Sequence, residues 1–174
     1  MTEGHFIKPF DCDDEDLNDF LANDSKVYMR ELLAVTYILE SDAETVAFFS
    51  LANDKISLES EPNRDKTIWN RFKKHIFPKN NNKRKMRSFP AMKIGRLAVN
   101  KNYKGYGVGT LILDYLKKMF IDNNRTGCKF ITVDAYRKSL GFYEKNQFRY
   151  LTDSDKDDDT RLMYFNLTDI LNTE

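Results

Sequence analysis

Two apolar patterns alternate along the chain, one with the two-residue period of a strand and one with the period of a helix. The strand-like segments are rich in β-branched and aromatic residues and cover residues 6–10, 33–39, 45–52, 92–99, 128–135, 148–152 and 161–167. The helix-like segments, where apolar residues recur every three or four positions, cover residues 14–27, 68–76, 111–121 and 139–146. Asp11 or Asp13 is predicted to cap the first helix. This order of elements predicts a mixed α/β fold.

Polar segments between the predicted strands indicate how they are joined. The sequence SDAE at 41–44 predicts a hairpin, and the strand that follows it is expected to extend through LANDKISL, residues 51–58. The acidic segment 153–159 predicts a second antiparallel connection, between the last two strands. The polar, basic segment 60–90 is predicted to be a loop insertion within a single domain spanning 1–174.

The charge of the chain is strongly asymmetric, although the net charge is only +1. From Arg64 to Arg96 there are 12 Lys or Arg residues and one acid, Asp65, which gives +11 and leaves −10 for the rest. A dense cationic segment favours a polyanionic partner such as a nucleic acid. Composition alone favours the simpler alternative, a solvated loop that balances an acidic body.

Several classes of protein are excluded by what the sequence lacks. No apolar run approaches the roughly 18 residues of a membrane span, so no membrane association is expected. The N-terminus is acidic where a signal peptide is apolar, which predicts a cytoplasmic protein. Two cysteines, Cys12 and Cys128, are too few for a disulfide scaffold. With only His5 and His75 beside them, no metal site is expected.

The segment Lys104–Thr110, KGYGVGT, predicts a glycine turn between the strand 92–99 and the helix 111–121. Such a turn presents backbone N–H groups at the positive end of a helix dipole, which suits a phosphate. The segment has neither the Lys-Ser/Thr of a Walker A loop nor the spacing of a dinucleotide fingerprint. On spacing alone, a tight connection with glycines for packing is an equally good interpretation.

The segment GRLAVNKNYKGYGVGTLIL resembles the acetyl-CoA-binding motif of the GNAT superfamily of N-acetyltransferases. A second family motif, usually FYEK followed by a glycine and phenylalanine, is similar to FYEKNQF at 142–148. Lys104 stands where the family has Gln or Arg, and Gln147 stands where it has glycine. The N-terminal half resembles the subgroup of tRNA-acetylating toxins, with Asp13 in place of a usual glycine.

The resemblance implies a single-domain GNAT-like fold, with a mixed, mostly antiparallel sheet flanked by helices, and an acetyl-CoA site. The pyrophosphate would lie on backbone amides of the glycine turn: Lys104, Gly105, Tyr106, Gly107, Val108, Gly109 and Thr110. The pantetheine arm would pair with Leu97, Ala98 and Val99, and the Val99 amide would bind the thioester oxygen. Tyr143 would donate a proton to the departing thiolate, whereas without the motif it would be a packing aromatic. Ser139 and Phe142 are further candidate contacts of the cofactor.

The implied reaction is acetyl transfer to a primary amine by direct attack in a ternary complex. The acceptor is a small amine, a protein lysine or an aminoacyl-tRNA. The resemblance of the N-terminal half to the toxin subgroup favours aminoacyl-tRNA, which would bind through the basic segment 64–96. No general base is assigned; Asp134 is the best-placed candidate, although a structural carboxylate is the better interpretation. A non-catalytic acyl-CoA-binding module is the alternative from another class. A homodimer is left open.

Overall fold

The chain folds into two compact units in the computed structural model, which describes residues 1, 2, 4–57, 70, 72, 74, 88–122 and 126–171. Unit 1 comprises Met1–Asn53 with Met92–Arg125, and unit 2 comprises Asp54–Ala91 with Thr126–Glu174. Most of the predicted insertion 60–90 lies outside the described residues. The same holds for the helix predicted at 68–76, of which only Asn70, Phe72 and Lys74 are described, all three helical.

Six strands form one sheet in the order β1-β2-β3-β4-β6-β5. Their bounds are β1 Val35–Glu40, β2 Thr45–Ser57, β3 Ser88–Val99, β4 Phe130–Tyr136, β5 Arg149–Tyr150 and β6 Thr160–Asn166. β1 pairs antiparallel with β2, and β6 pairs antiparallel with both β4 and β5. The predicted mixed α/β fold with a mostly antiparallel sheet is therefore confirmed.

The SDAE hairpin between β1 and β2 forms as predicted. The backbone N–H of Ser41 donates to the carbonyl of Glu44 at 2.9 Å, and the Ser41 hydroxyl oxygen accepts from the Glu44 N–H at 3.1 Å. A serine that bonds the backbone two or three residues later closes a turn without help from the rest of the fold. Because these bonds are local, the sequence pattern alone was enough to predict the hairpin.

Two strand predictions differ from the structure near prolines. The strand predicted at 6–10 is wrong, because the segment is irregular and Pro9 has no N–H to donate. The carbonyl of Pro9 nevertheless accepts from the Thr45 N–H at 3.0 Å. The strand predicted from Met92 begins earlier, at Ser88. It runs through Pro90, whose carbonyl accepts from the Lys129 N–H at 3.0 Å.

The N-terminal helical segment consists of α1 (Glu15–Asp19), a π-helical turn (Phe20–Asp24) and α2 (Ser25–Arg30). Its cap is Asp14, whose carboxylate accepts from the Leu17 N–H at 3.4 Å. The prediction that Asp11 or Asp13 caps this helix is therefore wrong. Asp13 has a left-handed backbone with φ of 59°, and the Asp11 carboxylate accepts from the Asp13 N–H instead.

After β3, the described residues contain three further α-helices: α3 (Val108–Met119), α4 (Leu140–Lys145) and α5 (Thr168–Leu171). α3 begins three residues before the predicted start at 111, so the last residues of the glycine turn belong to its first turn. α4 follows a 3₁₀ turn at Arg137–Ser139 and matches the short helix predicted at 139–146. The sequence pattern missed α5.

Each unit has its own aromatic core. In unit 1, Phe48 packs edge-on against Phe10 and stacks with Phe20, with ring centroids 5.4 and 6.1 Å apart. In unit 2, Phe130 packs edge-on against Tyr164 at 5.6 Å and Phe89 at 5.9 Å. These geometries are the favourable ones for aromatic pairs, so each core has a defined arrangement.

α4 ends in a Schellman motif built on a residue other than glycine. The Phe148 N–H donates to the Tyr143 carbonyl at 3.0 Å, and the Gln147 N–H donates to the Glu144 carbonyl at 2.9 Å. The motif requires a left-handed residue at Gln147, which has φ of 68°. Glycine adopts this conformation without a Cβ penalty. The glycine of the family motif therefore has a structural reason here.

We expect Gln147→Gly to stabilise the protein by about 0.5–1 kcal/mol, because it removes the strain of a left-handed Cβ. Urea unfolding followed by circular dichroism measures the change. Gln147→Ala is the matched control, since it shortens the side chain and keeps the Cβ. Equal stability of the Gly and Ala variants would contradict this account.

Candidate functional site

The C-terminal end of β3 is fixed in unit 1 by a backbone bond to β2. The Asn100 N–H donates to the Val46 carbonyl at 2.9 Å. Successive N–H groups along a strand point to opposite edges, so the N–H of Val99 points away from β2. Of the predicted contacts Leu97, Ala98 and Val99, the structure buries Ala98 and leaves the other two partly exposed.

Asn100 closes the strand with its side chain, a role that the sequence analysis missed. It is 2% exposed, and its Nδ2 donates to the Thr45 carbonyl at 3.0 Å and to Glu44 Oε2 at 3.1 Å. Its Oδ1 accepts from the Asn102 N–H at 3.1 Å and so caps the 3₁₀ turn Lys101–Tyr103. An asparagine directly after a strand is the available sequence signal, since asparagine favours caps.

Two of the three glycines in the turn have a left-handed backbone. Gly105 has φ of 83° and Gly107 has φ of 79°, both in the left-handed region. A Cβ built on either residue would meet no atom within 4 Å. These two glycines are thus required by the backbone conformation and not by packing, and the space over them is open. The packing interpretation of the turn does not hold for them.

The turn ends at the N-terminus of α3 with a row of donors. The Leu111 N–H makes the first bond of the helix, to the Gly107 carbonyl at 3.0 Å. The four N–H groups before it, from Gly107 to Thr110, have no intrahelical carbonyl to bond. With the positive end of the α3 dipole, they form a site suited to an anion. The N–H of Lys104, by contrast, is used within the turn, where it donates to the Lys101 carbonyl at 3.4 Å.

The Lys104 side chain lies against the N-terminal loop. Its Nζ donates to the Cys12 carbonyl at 2.7 Å and to Asp13 Oδ2 at 2.9 Å. Lys101, one turn earlier, donates through Nζ to Asp11 Oδ2 at 2.7 Å. These contacts could not be predicted from local sequence patterns, because about 90 residues separate the partners.

Tyr143 lies in unit 2, on α4, and is 6% exposed. Its ring packs edge-on between Phe142 and Phe148, with centroids 5.1 and 5.3 Å away. The Phe148 contact joins the residues on either side of the Schellman motif and therefore orients the tyrosine. Burial raises the pKa of the Tyr143 hydroxyl well above its usual value of 10. The phenol keeps its proton at neutral pH.

Three other residues were candidates for the site: Ser139, Asp134 and Cys12. Ser139 ends the 3₁₀ turn before α4 and makes no capping bond to that helix. Asp134 lies exposed on β4, opposite Leu162 of β6. Cys12 is buried, its Sγ donates to Asn18 Oδ1 at 3.2 Å, and burial raises the pKa of its thiol. A protonated, buried thiol is a poor nucleophile, which argues against an acyl-enzyme on Cys12.

The family model for the acetyltransferase (GNAT) domain matches residues 80–168, which include the glycine turn, α3, β4 and α4. The chain belongs to the GNAT acetyltransferase family. This confirms the prediction from the two sequence motifs, and it makes the chain an N-acetyltransferase. No curated protein sequence matches the chain.

Solved structures share this GNAT fold over nearly the whole chain. A tyrosine-to-phenylalanine mutant of KacT has a TM-score of 0.73 at 20% identity, over 98% of this chain and 92% of that one. AtaTR bound with acetyl-CoA has a TM-score of 0.72 at 19% identity, over 99% and 94%. AtaT complexed with acetyl-methionyl-tRNA has a TM-score of 0.68 at 19% identity, over 94% and 89%. AtaT is also described as a toxin bound to the C-terminus of the antitoxin AtaR.

None of the described helices is long and apolar enough to cross a membrane. In the same part of the chain, no three His, Cys, Asp or Glu side chains are grouped so as to hold a metal ion.

The buried Tyr143 predicts an alkaline loss of stability. Between pH 10 and its raised pKa, the unfolded chain has released the Tyr143 proton while the folded chain still holds it, so the free energy of unfolding falls as pH rises. Tyr143→Phe should make this slope shallower by up to about 1.4 kcal/mol per pH unit. Urea unfolding at pH 9, 10 and 11 measures it. Tyr106→Phe, which removes a tyrosine that is 79% exposed, is the control, and equal slopes for both variants would contradict the assignment.

Proposed function

We propose that this GNAT protein transfers the acetyl group of acetyl-CoA to the amino group of an aminoacyl-tRNA. The observation that carries the acetyl-CoA part is the open glycine turn, whose N–H groups lack intrahelical partners, within a GNAT domain. AtaTR, which shares the fold, is bound with acetyl-CoA. We also propose that residues 1–174 act as a single acetyltransferase domain.

The pyrophosphate of CoA fits the glycine turn in charge and in space. The amides from Gly105 to Thr110 supply donors, and the missing Cβ atoms at Gly105 and Gly107 allow close approach of an anion. A dipole of a 12-residue helix adds favourable potential at the same point. Lys104 is the exception among the predicted contacts, because its N–H and its ammonium both have partners in the protein.

The pantetheine arm would bind along β3 at Leu97, Ala98 and Val99, like an added strand. The Val99 N–H points away from β2, so it is the predicted donor to the thioester oxygen. A backbone donor at that oxygen stabilises the negative charge that develops there during attack. Ser139 and Phe142 remain proposed contacts of the cofactor, with the Phe142 ring fixed against Tyr143.

The reaction needs one bond formed, one broken and two proton movements. The neutral amine attacks the thioester carbonyl, the C–N bond forms, and the C–S bond breaks. The amine loses a proton to solvent, and the sulfur gains one from the Tyr143 hydroxyl to leave as a thiol. Tyr143 is the proposed donor because a phenol is a weak acid that holds its proton at neutral pH.

The acceptor part rests on charge and on the fold relatives. Twelve cations and one acid between Arg64 and Arg96 would attract the phosphates of tRNA. AtaT, which shares the fold, is complexed with acetyl-methionyl-tRNA. Most of the basic segment lies outside the described residues, so its charge and not its geometry supports the proposal.

The acceptor is tested by incubating the protein and labelled acetyl-CoA with three pools in parallel. These are aminoacylated total tRNA, deacylated total tRNA, and a mixture of small amines and lysine peptides. We expect label only in the aminoacylated tRNA, released by mild base as N-acetyl amino acid. Label in the amine pool would contradict a tRNA acceptor. Binding of acetyl-CoA without transfer to any pool would contradict the proposed acetyltransferase activity.

A charge control separates tRNA recognition from chemistry. Neutralising Lys83, Arg84, Lys85 and Arg87 together should weaken tRNA binding and flatten its dependence on salt concentration. Binding of CoA measured by calorimetry should be unchanged in the same variant. Unaltered salt dependence would remove the basic segment from the proposal.

Tyr143→Phe tests the proton donor. We expect kcat to fall by about 100-fold or more, with binding of acetyl-CoA unchanged, because only the transferable proton is lost. Tyr164→Phe is the control, since it removes another buried tyrosine hydroxyl of unit 2. Full kcat in the Tyr143→Phe variant would show that the assignment is wrong.

A further inference from the structure

The glycine turn is attached to the N-terminal loop Asp11–Asp13, which is about 90 residues away in sequence. Four bonds join them: the Lys101 N–H to the Asp11 carbonyl at 2.8 Å, Lys101 Nζ to Asp11 Oδ2 at 2.7 Å, Lys104 Nζ to the Cys12 carbonyl at 2.7 Å and Lys104 Nζ to Asp13 Oδ2 at 2.9 Å. All of these residues belong to unit 1. The loop therefore binds Lys101, in the 3₁₀ turn that precedes the glycine turn, and Lys104, the first residue of the glycine turn itself.

The loop itself is organised around Asp11. The Asp11 carboxylate accepts from Lys101 Nζ, from the Asp13 N–H at 3.0 Å and from Asn18 Nδ2 at 3.1 Å. These bonds hold the pKa of Asp11 well below its usual range, so it stays charged at any physiological pH. Asn18 extends the network, since its Oδ1 accepts from the Cys12 N–H at 3.0 Å. The bonds of Asp11 and Asn18 give the loop a defined shape, and Asp13 lies at its end.

Asp13 combines a left-handed backbone with an ion pair to Lys104. Its φ of 59° lies in a region that costs most residues with a Cβ about 1–2 kcal/mol and that Asp and Asn adopt more readily. A carboxylate in this chain brings a contact that glycine cannot make, the ion pair with Lys104 at 2.9 Å. Strain retained beside a binding turn is a pointer to function.

We propose that Asp13 and Lys104 are positioning residues that hold the glycine turn in its CoA-binding conformation, and that Lys104 is not itself a phosphate ligand through its ammonium. This inference rests on the proposed binding of the CoA pyrophosphate to the turn. The alternative is a purely electrostatic view. In that view the Lys104 ammonium binds the phosphate directly, and the negative charge of Asp13 only weakens phosphate binding. The two views predict opposite results for Asp13.

Asp13→Asn removes the charge, keeps the size and tolerates a left-handed backbone. If Asp13 only repels the pyrophosphate, CoA should bind more tightly to this variant. If Asp13 positions the turn through Lys104, CoA should bind more weakly, by about threefold or more. Isothermal titration with CoA gives the sign directly. The KM for acetyl-CoA should rise by the same factor, with little change in kcat.

A double-mutant cycle tests whether the two residues act together. We expect Asp13→Asn, Lys104→Gln and the double variant to weaken CoA binding by similar factors, since each breaks the same contact. If Lys104 binds phosphate directly, Lys104→Gln will weaken binding by its full factor in the Asp13→Asn background as well. Independent effects of that kind would overturn the proposal.

Two further variants serve as controls. Asp42→Asn removes an exposed acid in the hairpin turn and should leave CoA binding unchanged. Asp13→Gly relieves the strain but lacks the carboxylate, so it should raise the unfolding temperature while still weakening CoA binding; tighter binding would overturn the proposal. Wild-type protein that fails to bind CoA would refute the proposed function. Wild-type binding with unchanged or tighter binding by Asp13→Asn would refute only this inference.

Discussion

The buried side chain of Asn100 determines where β3 ends and where the glycine turn begins. Its amide satisfies a carbonyl and a carboxylate of the β1–β2 hairpin while its oxygen caps the following 3₁₀ turn. A buried amide that lost these partners would leave several polar atoms unpaired, at a cost of about 1–3 kcal/mol each. The exit of the chain into the turn follows from this anchor, and the backbone bond of the Asn100 N–H to the Val46 carbonyl sets the direction of the Val99 N–H. A polar residue thus places the start of the turn, and two glycines allow its left-handed backbone.

Much of the fold could be predicted because its signals are local. The hairpin at 41–44 is closed by its own serine, and Gly105 and Gly107 adopt the positive φ angles that their type suggests. The predictions that failed have other causes. The segment 6–10 has suitable residues for a strand, but the proline leaves it without a ladder. The π-helical turn at Phe20–Asp24 was not predicted, because the apolar spacing of this segment is that of an ordinary α-helix.

The candidate site divides in the same way. The backbone donors of the turn were predicted from its glycines, and the role of Tyr143 was implied only by the resemblance to the second GNAT motif. The contacts of Lys104 with Cys12 and Asp13 were not predicted, because nothing near Lys104 in sequence indicates an acid on its side chain. Asp13 and Gln147, read from sequence as departures from family glycines, prove to occupy left-handed positions. At both positions, the family glycine is the residue type that best fits the left-handed backbone.

In the proposed reaction, the burial of Tyr143 also affects how the side chain regains its proton after each turnover. A phenolate enclosed by Phe142 and Phe148 has no solvent to stabilise its charge, so it is the least stable form of the side chain in this surrounding. Once the hydroxyl has donated its proton, burial favours its rapid reprotonation. The same surroundings therefore favour the neutral, protonated side chain both before and after the reaction.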